Sequence, residues 1–217
     1  MQQVLEAALE KLYGTTVRIE GAGRTDAGVH ALAQRAHADV PFAIPPRGLL
    51  LGLNNVLPHD IRVTAVEEVP DGFHCRFAAK RKTYVYRIWN TEVSDVFAGE
   101  TSAHVAQRLD ADAMHDAAQV LLGKHDYRAF TVAAPEVSST VRTIEEIAVR
   151  RDGDAVTLEV TADGFLRYMV RRIAGSLIEV GRGKLDAGAL SRALEPDFEP
   201  ARWTAPAKGL TLVSVSY

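Results

Sequence analysis

The chain has 217 residues, of which 47% are hydrophobic and 24% charged, and a formal net charge of −3 at pH 7. This composition is ordinary for a soluble globular protein, and the length is enough for one large domain or two small fused ones. No run of 18 apolar residues is present, so we expect no transmembrane helix and no association with a membrane.

The cysteine content excludes proteins stabilised by internal disulfides and proteins with a cysteine-rich zinc site. A single cysteine, Cys75, forms no internal disulfide and cannot build a cysteine-rich zinc site. The chain starts without a basic segment or a secretory apolar core, so we expect a cytoplasmic protein. Net charge alone does not indicate a nucleic-acid partner, although a local basic patch is enough to bind phosphates.

The first third of the chain mixes helical and extended patterns. Apolar residues recur at helical spacing near the start, and β-branched stretches follow. These patterns predict helices over 2–13 and 47–55, the first ended by Gly14, and strands over 15–20, 33–40 and 61–69.

The strongest strand signal covers residues 83–89, where Tyr84, Tyr86 and Ile88 alternate and therefore share one face. Helix-capping residues, turn residues and the spacing of apolar residues predict the remaining elements. These are helices over 111–122 (with Asp110 as N-cap) and 186–194, strands over 143–149, 155–161 and 210–217, and a hairpin turn at 151–154.

The clearest helix runs from Leu166 to Ile178, with apolar residues three, four and seven apart. Arg167 and Arg171 are four residues apart, so they lie on one side of this helix at the margin of its apolar stripe. A guanidinium there can reach into a cleft, whereas Arg172 points further outward.

Hairpins dominate over βαβ alternation in this pattern. It predicts an α+β fold with a mostly antiparallel mixed sheet flanked by helices. We expect two α+β halves, residues 1–95 and 96–217, that share one continuous catalytic cleft.

A glycine-rich stretch, Gly21 to Ala31, holds Arg24, Thr25 and Asp26 between two apolar segments. Glycine allows tight turns and close approach of another group, and loops on a rigid scaffold often carry chemistry. A solvated turn with an incidental ion pair is an equally open interpretation. As a carboxylate, Asp26 can act as nucleophile, general base or metal ligand; beside a guanidinium it stays ionised, which suits a nucleophile.

Two other chemistries are weakly supported at this loop. A metal site would recruit Asp26, His30 and His37, but that spacing is a weak signal and no third carboxylate or thiolate lies nearby. A phosphate cradle would need a Gly-Lys-Ser/Thr ending or a helix-opening GxGxxG, and neither is present.

The basic cluster Lys80-Arg81-Lys82 lies just before Tyr84. An aromatic ring beside basic residues can stack a base while the charges hold phosphates. A second cluster contains Arg167, Arg171 and Arg172. Taken alone, each cluster is also typical of a solvated face, and Tyr84 of a core strand.

The glycine-rich stretch resembles the signature of the TruA family of tRNA pseudouridine synthases, in Gly23-Arg24-Thr25-Asp26-Ala27-Gly28-Val29-His30-Ala31. Supporting matches follow in order over essentially the whole chain. They are Phe73-His74-x-Arg76-Phe77, Lys82-Thr83-Tyr84-x-Tyr86, Leu122-Gly123-x-His125-Asp126, Thr140-Val141-Arg142-Thr143-Ile144, Phe165-Leu166-Arg167-Tyr168-Met169-Val170-Arg171 and Ala207-x-Gly209-Leu210.

The resemblance implies a pseudouridine synthase fold and an enzyme that isomerises uridine to pseudouridine in the anticodon stem-loop of tRNA, with no cofactor and no metal. It maps the catalytic carboxylate to Asp26 and the supporting arginines to Arg24 and Arg171, and it implies that Arg171 pairs with Asp26. The aromatic residue that stacks on the target uracil maps to Tyr84, and an apolar residue of the same pocket maps to Leu210.

The resemblance also implies a homodimer in which one tRNA touches both subunits. With the charge pattern, it makes four basic residues candidates for binding RNA phosphates: Lys80, Arg81, Lys82 and Arg167.

Family members carry a strand before the first helix, with Tyr-Asp-Gly-Thr-like and Gly-Trp-Gln-like segments, whereas this chain begins within that helix. We expect either a start upstream of Met1 or a chain that lacks the strand. Two alternatives therefore stay open: a tRNA-binding module made inactive by the truncation, and a metal-dependent hydrolase that uses Asp26 and His30.

Overall fold

The computed structural model describes residues 1–132, 138–197 and 201–217. Within them the helices are α1 (Gln2–Tyr13), α2 (Pro46–Val56), α3 (Ala111–Ala118), α4 (Met169–Gly181) and α5 (Ala189–Arg192). The strands are β1 (Glu20–Gly21), β2 (His30–Ala31), β3 (Ala36–His37), β4 (Arg81–Trp89), β5 (Ala103–His104), β6 (Gly123–Asp126), β7 (Val141–Asp152), β8 (Ala155–Ala162) and β9 (Leu210–Ser216).

The chain divides into two compact units. The first comprises Met1–Arg24 and Arg35–Ala79, and the second comprises Thr25–Gln34 and Lys80–Tyr217. The residue ranges of these units differ from those of the halves expected at 1–95 and 96–217. The division into those halves stays a prediction.

The first unit is built on α1 and α2, both of which the sequence predicted. Gly14 ends α1 in the left-handed conformation, with φ of 71° and its N–H donated to the carbonyl of Glu10. The core of this unit combines one face of each helix with the segment between them, in Ala8, Leu9, Tyr13, Val17, Ile19, Leu53 and Leu57.

Three strands predicted in the first unit are wrong or much shorter. Of 15–20 and 33–40, the described chain keeps only β1 and β3, which pair antiparallel with each other. The stretch 61–69 forms no strand in the described residues. Instead of a paired strand, the Asn54 side chain bonds the backbone of this stretch. Its Nδ2 donates to the Val63 carbonyl (2.8 Å), and its Oδ1 accepts from the Val63 N–H (2.9 Å).

The second unit contains a seven-stranded sheet, counted over the described residues, in the order β2-β9-β4-β8-β7-β6, with β5 also paired to β4. The four long strands β4, β7, β8 and β9 were predicted and pair antiparallel. Only short β2 and β5 join their neighbours in parallel within the described chain. The predicted α+β fold with a mostly antiparallel mixed sheet and flanking helices is confirmed.

The helices of the second unit pack on this sheet, α3 against β7 and α4 against both α3 and β4. Asp110 caps α3 as predicted, since its Oδ1 accepts from the Ala113 N–H at 2.9 Å. Helix α3 ends at Ala118 rather than 122, and a 3₁₀ turn follows. Helix α5 covers only four of the nine residues predicted at 186–194.

Helix α4 is the buried centre of the second unit. It begins at Met169 rather than Leu166. It is buried almost all round, so the predicted outward direction of Arg172 is wrong. The Arg172 guanidinium instead donates to the carbonyls of Ala129 (3.3 Å) and Thr131 (2.6 Å), and burial lowers its pKa. In the described part of the chain, no helix combines the length and the apolar character that crossing a membrane requires.

Candidate active site

The glycine-rich stretch forms a tight turn at Asp26. The Val29 N–H donates to the Asp26 carbonyl at 3.1 Å, which closes a four-residue turn. Gly28, the third residue, has φ of 80°, as a type II turn requires and as glycine adopts without strain. The turn leads into β2, which pairs in parallel with the first residues of β9. The backbone around Asp26 is therefore fixed by the sheet of the second unit.

The Asp26 side chain is paired with an arginine 145 residues further along the chain. Arg171 Nη1 lies 2.9 Å from Asp26 Oδ2. Only 23% of the Asp26 side chain and 15% of the Arg171 side chain are exposed, so water screens this pair less than a surface ion pair. The structure thus brings together the two residues that the family resemblance paired.

Arg171 is itself held in place by the backbone of the segment before β9. Its Nε donates to the Ala205 carbonyl at 2.9 Å, and its own carbonyl accepts from the Ala205 N–H at 2.9 Å. The guanidinium also lies against the ring of Tyr168, with 5.1 Å between Cζ and the ring centroid. Because Arg171 is on a buried helix, these contacts give the ion pair a rigid base.

Tyr84 lies near this ion pair, on β4. Burial raises the pKa of Tyr84 to about 12, and the negative charge of Asp26 contributes to the rise. The phenol is therefore neutral at physiological pH. Phe165 meets the Tyr84 ring edge-on, with centroids 5.0 Å apart and planes at 86°, which fixes the ring while leaving it partly exposed.

Below Tyr84 on the same face, Tyr86 supports the segment that carries Ala205. Tyr86 is fully buried, and its hydroxyl donates to the Pro206 carbonyl at 2.9 Å. Gly209 lies close to this ring: a Cβ at position 209 would lie 2.7 Å from Tyr86 Cζ. Ala207, in the same segment, reaches the Asp26 turn, with its Cβ 3.4 Å from where a Gly28 Cβ would lie.

Leu210 begins β9 and pairs with Tyr86 in the ladder, next to the pairing of Leu212 with Tyr84. Its side chain is 6% exposed and belongs to the core of the second unit. A role for Leu210 in lining a substrate pocket stays a prediction.

The remaining predicted site residues are at the surface. Arg24 is exposed, belongs to the first unit, and forms no hydrogen bond or ion pair within the described residues. Lys80 and Arg167 are exposed, whereas Arg81 Nε is paired with Glu145 Oε2 at 2.5 Å. Lys82 is partly buried. Arg81 therefore offers less free positive charge to a phosphate than Lys80 does.

The metal interpretation combined Asp26 with His30 and His37. His30 Nε2 lies 3.0 Å from the Glu100 carbonyl. In the described residues, the group with metal-ligand geometry is instead Glu20, His37 and His74, in the first unit. Both ring nitrogens of His74 have partners: Nδ1 accepts from the Arg76 N–H, so Nε2 carries the proton and donates to Glu20 at 3.1 Å.

Several residues that build this site had no recognised signal in the sequence. Ala205 and Pro206 act through backbone carbonyls, which any residue type supplies. Phe165 and Tyr168 belong to a stretch that the sequence marked as important without assigning them a role. Only the resemblance, not spacing, linked Asp26 to Arg171.

The turn at Asp26, the Asp26–Arg171 ion pair and the Tyr84 ring all lie in the second unit of the structure. A model of the tRNA pseudouridine synthase family matches residues 1–78 and 117–217. The chain therefore belongs to the tRNA pseudouridine synthase family, whose members are RNA uridine isomerases. Asp26 and Arg171 lie inside the matched ranges, and Tyr84 lies between them.

Individual relatives agree with the family model and align over the whole chain. A tRNA pseudouridine synthase A of Rhodopseudomonas palustris is 44% identical over 219 residues, covering 100% of this chain and 89% of the relative. Proteins with the same name from Beijerinckia indica and Brevibacillus brevis are 45% and 44% identical over 100% of this chain, and over 84% and 89% of their own lengths.

Proposed function

We propose that this protein isomerises uridine to pseudouridine in the anticodon stem-loop of tRNA, with Asp26 as the catalytic carboxylate. In this reaction the bond from uracil N1 to ribose C1′ breaks and a bond from C5 to C1′ forms. C5 loses its hydrogen to solvent as a proton, and N1 gains a proton. The product is an isomer of the substrate, so no atoms are consumed.

The observation that carries this proposal is the ion pair of Asp26 and Arg171 at 2.9 Å. The guanidinium holds the Asp26 carboxylate, a group that can act as a nucleophile or as a base, at hydrogen-bonding distance. Since Arg171 is tied to Ala205 and lies on a buried helix, it also aims the carboxylate before substrate arrives.

Tyr84 is the proposed stacking platform for the target base. A uridine in a stem must leave the helical stack before a side chain can reach it, which costs a few kcal/mol. A partly exposed, neutral aromatic ring near Asp26 offsets part of this cost by stacking, worth about 1–3 kcal/mol per base. We assign Leu210 to the apolar wall of the same pocket and Arg24 to support of the Asp26 loop.

We also propose that Lys80, Arg81, Lys82 and Arg167 bind phosphates of the tRNA, that the active species is a homodimer, and that it works in the cytoplasm. The family assignment and the exposure of Lys80 and Arg167 support the phosphate contacts. The names of the relatives support tRNA as the partner.

The test is release of tritium from tRNA transcripts labelled at uracil C5. The wild-type protein is expected to release tritium to water, and Asp26→Ala and Asp26→Asn are expected to release none above background. Asp71→Asn is the matched control, because Asp71 is an exposed aspartate with no ion pair in the described residues.

Binding without release by the wild-type protein would support the rival function, a tRNA-binding module. Full release by Asp26→Asn would remove Asp26 from the chemistry. Loss of release on adding a chelator would instead favour the metal-dependent interpretation.

A further inference from the structure

Tyr168 has a backbone conformation that is unfavourable for its side chain. Its φ is 64° and ψ is 0°, and it is the only non-glycine residue with positive φ among those that the structure describes. The left-handed region brings Cβ of a bulky residue too close to the backbone. Tyr168 also directly precedes α4, where the capping residue normally has an extended backbone. A strained residue of this kind persists only when its surroundings fix it.

The conformation places the Tyr168 ring against two guanidinium groups. Arg167 Cζ and Arg171 Cζ each lie 5.1 Å from the ring centroid, which is within the range of a cation–π contact. The hydroxyl of Tyr168 makes no hydrogen bond within the described ranges. The ring, and not the hydroxyl, is therefore the part of this side chain that makes specific contacts.

The contact with Arg171 restrains a motion that the other contacts leave free. Arg171 donates in its own plane, from Nε to the Ala205 carbonyl and from Nη1 to Asp26. Two donors on a planar guanidinium fix its in-plane position but allow it to tilt about the line that joins the acceptors. An aromatic ring against the guanidinium opposes that tilt. The Asp26 carboxylate, which takes its direction from Nη1, is then held as well.

We propose that Tyr168 is a positioning residue that holds Arg171, and through it Asp26, in the orientation needed for catalysis. This inference rests on the proposed function of the Asp26–Arg171 pair. The left-handed backbone is the means by which the ring reaches the guanidinium from the residue just before the helix.

The experiment separates the ring from the backbone conformation. Tyr168→Phe keeps the ring and removes the hydroxyl; Tyr168→Gly keeps the left-handed backbone, which suits glycine, and removes the ring. We expect Tyr168→Phe to keep kcat for tritium release from tRNA within about twofold of wild type. We expect Tyr168→Gly to lower kcat about fivefold, equivalent to about 1 kcal/mol, with KM for tRNA changed less than about twofold.

Two further measurements distinguish positioning from simple support of the fold. The melting temperature of Tyr168→Gly is expected to stay within about 3 °C of wild type, since glycine relieves the backbone strain. In an Arg171→Lys background, which removes the planar partner, adding Tyr168→Gly is expected to change kcat less than about twofold, because residues that act as a unit are not additive.

Two results would overturn the inference alone. One is unchanged kcat in Tyr168→Gly, which together with a raised KM would make Tyr168 an RNA contact. The other is a full fivefold loss in the Arg171→Lys background. No tritium release by the wild-type protein would overturn the proposed function and this inference together. The two failures are therefore distinguishable.

Discussion

A single methyl group added at Gly209 is expected to damage both the fold and the site. In Gly209→Ala the new Cβ would lie 2.7 Å from Tyr86 Cζ, 2.9 Å from the Arg87 carbonyl oxygen and 3.0 Å from Tyr86 Cε1. Neither neighbour can move aside. The Tyr86 ring is fully buried and anchored through its hydroxyl to Pro206, and the Arg87 carbonyl belongs to a strand that is paired on both sides.

The expected cost follows from overpacking of a closed core, about 1–3 kcal/mol. For a chain of this size, each kcal/mol lowers the melting temperature by about 2–4 °C, so we expect a fall of about 2–12 °C. The clash also displaces the segment that touches Gly28 and bonds Arg171 through Ala205. Turnover on tRNA should therefore fall in the molecules that remain folded.

Calorimetric melting and tritium release measure the two effects. Gly99→Ala is the matched control, since a Cβ there meets nothing within 4 Å, and its stability should change by less than about 0.5 kcal/mol. If Gly209→Ala melted at the wild-type temperature with wild-type turnover, the close packing of Gly209 on Tyr86 would not be a constraint on this site.

Two further predictions concern Tyr84 and the basic cluster. The pKa of Tyr84 is about 12 in the folded protein and about 10 in the unfolded chain, so folding favours the protonated phenol. The free energy of unfolding is therefore unaffected by the ionisation of Tyr84 below pH 10 and falls as the pH rises from 10 towards 12. Phenylalanine has no proton to lose, so Tyr84→Phe should remove up to about 2.7 kcal/mol of this alkaline fall in the free energy of unfolding. Urea titrations between pH 10 and 12 measure the fall in each protein. Identical falls in wild type and variant would contradict a raised pKa for the buried phenol. Lys80→Ala should weaken tRNA binding and reduce the slope of log K against log salt by about one, whereas Lys11→Ala in α1 should not; an equal slope in both variants would make Lys80 a solvated residue.

Elements with a long, regular period were predictable from the sequence. Side chains alternate along β4, and apolar residues recur three, four and seven apart along α4. Each pattern continues over enough residues to distinguish a strand from a helix. The stretches 15–20 and 61–69 show the limit of this reasoning. Their β-branched composition favours an extended backbone, but a strand also needs a neighbour to pair with, and composition does not show whether one is present.

The site was predictable only in part, for a different physical reason. Asp26 is in a local motif, so residue types and glycine spacing marked it. We predicted that Arg172 points towards solvent, because the apolar residues of α4 were expected to cover only one face of the helix. In the structure α4 is buried around most of its circumference, so little of its surface faces solvent. The left-handed conformation of Tyr168 has no signal in the residue type, because glycine and asparagine are the residues that usually adopt it.

The pairing of β2 with β9 also has a consequence for the order in which the protein becomes functional. The turn that holds Asp26 is synthesised before all of the described strands except β1, and its strand neighbour, β9, is the last of those described. Closing such a long loop is costly in entropy, and such contacts form slowly compared with local ones. A chain synthesised only as far as β8 has Asp26 but not the strand that anchors its loop. The Asp26 turn therefore reaches its anchored conformation only after β9 has been synthesised and has paired with β2.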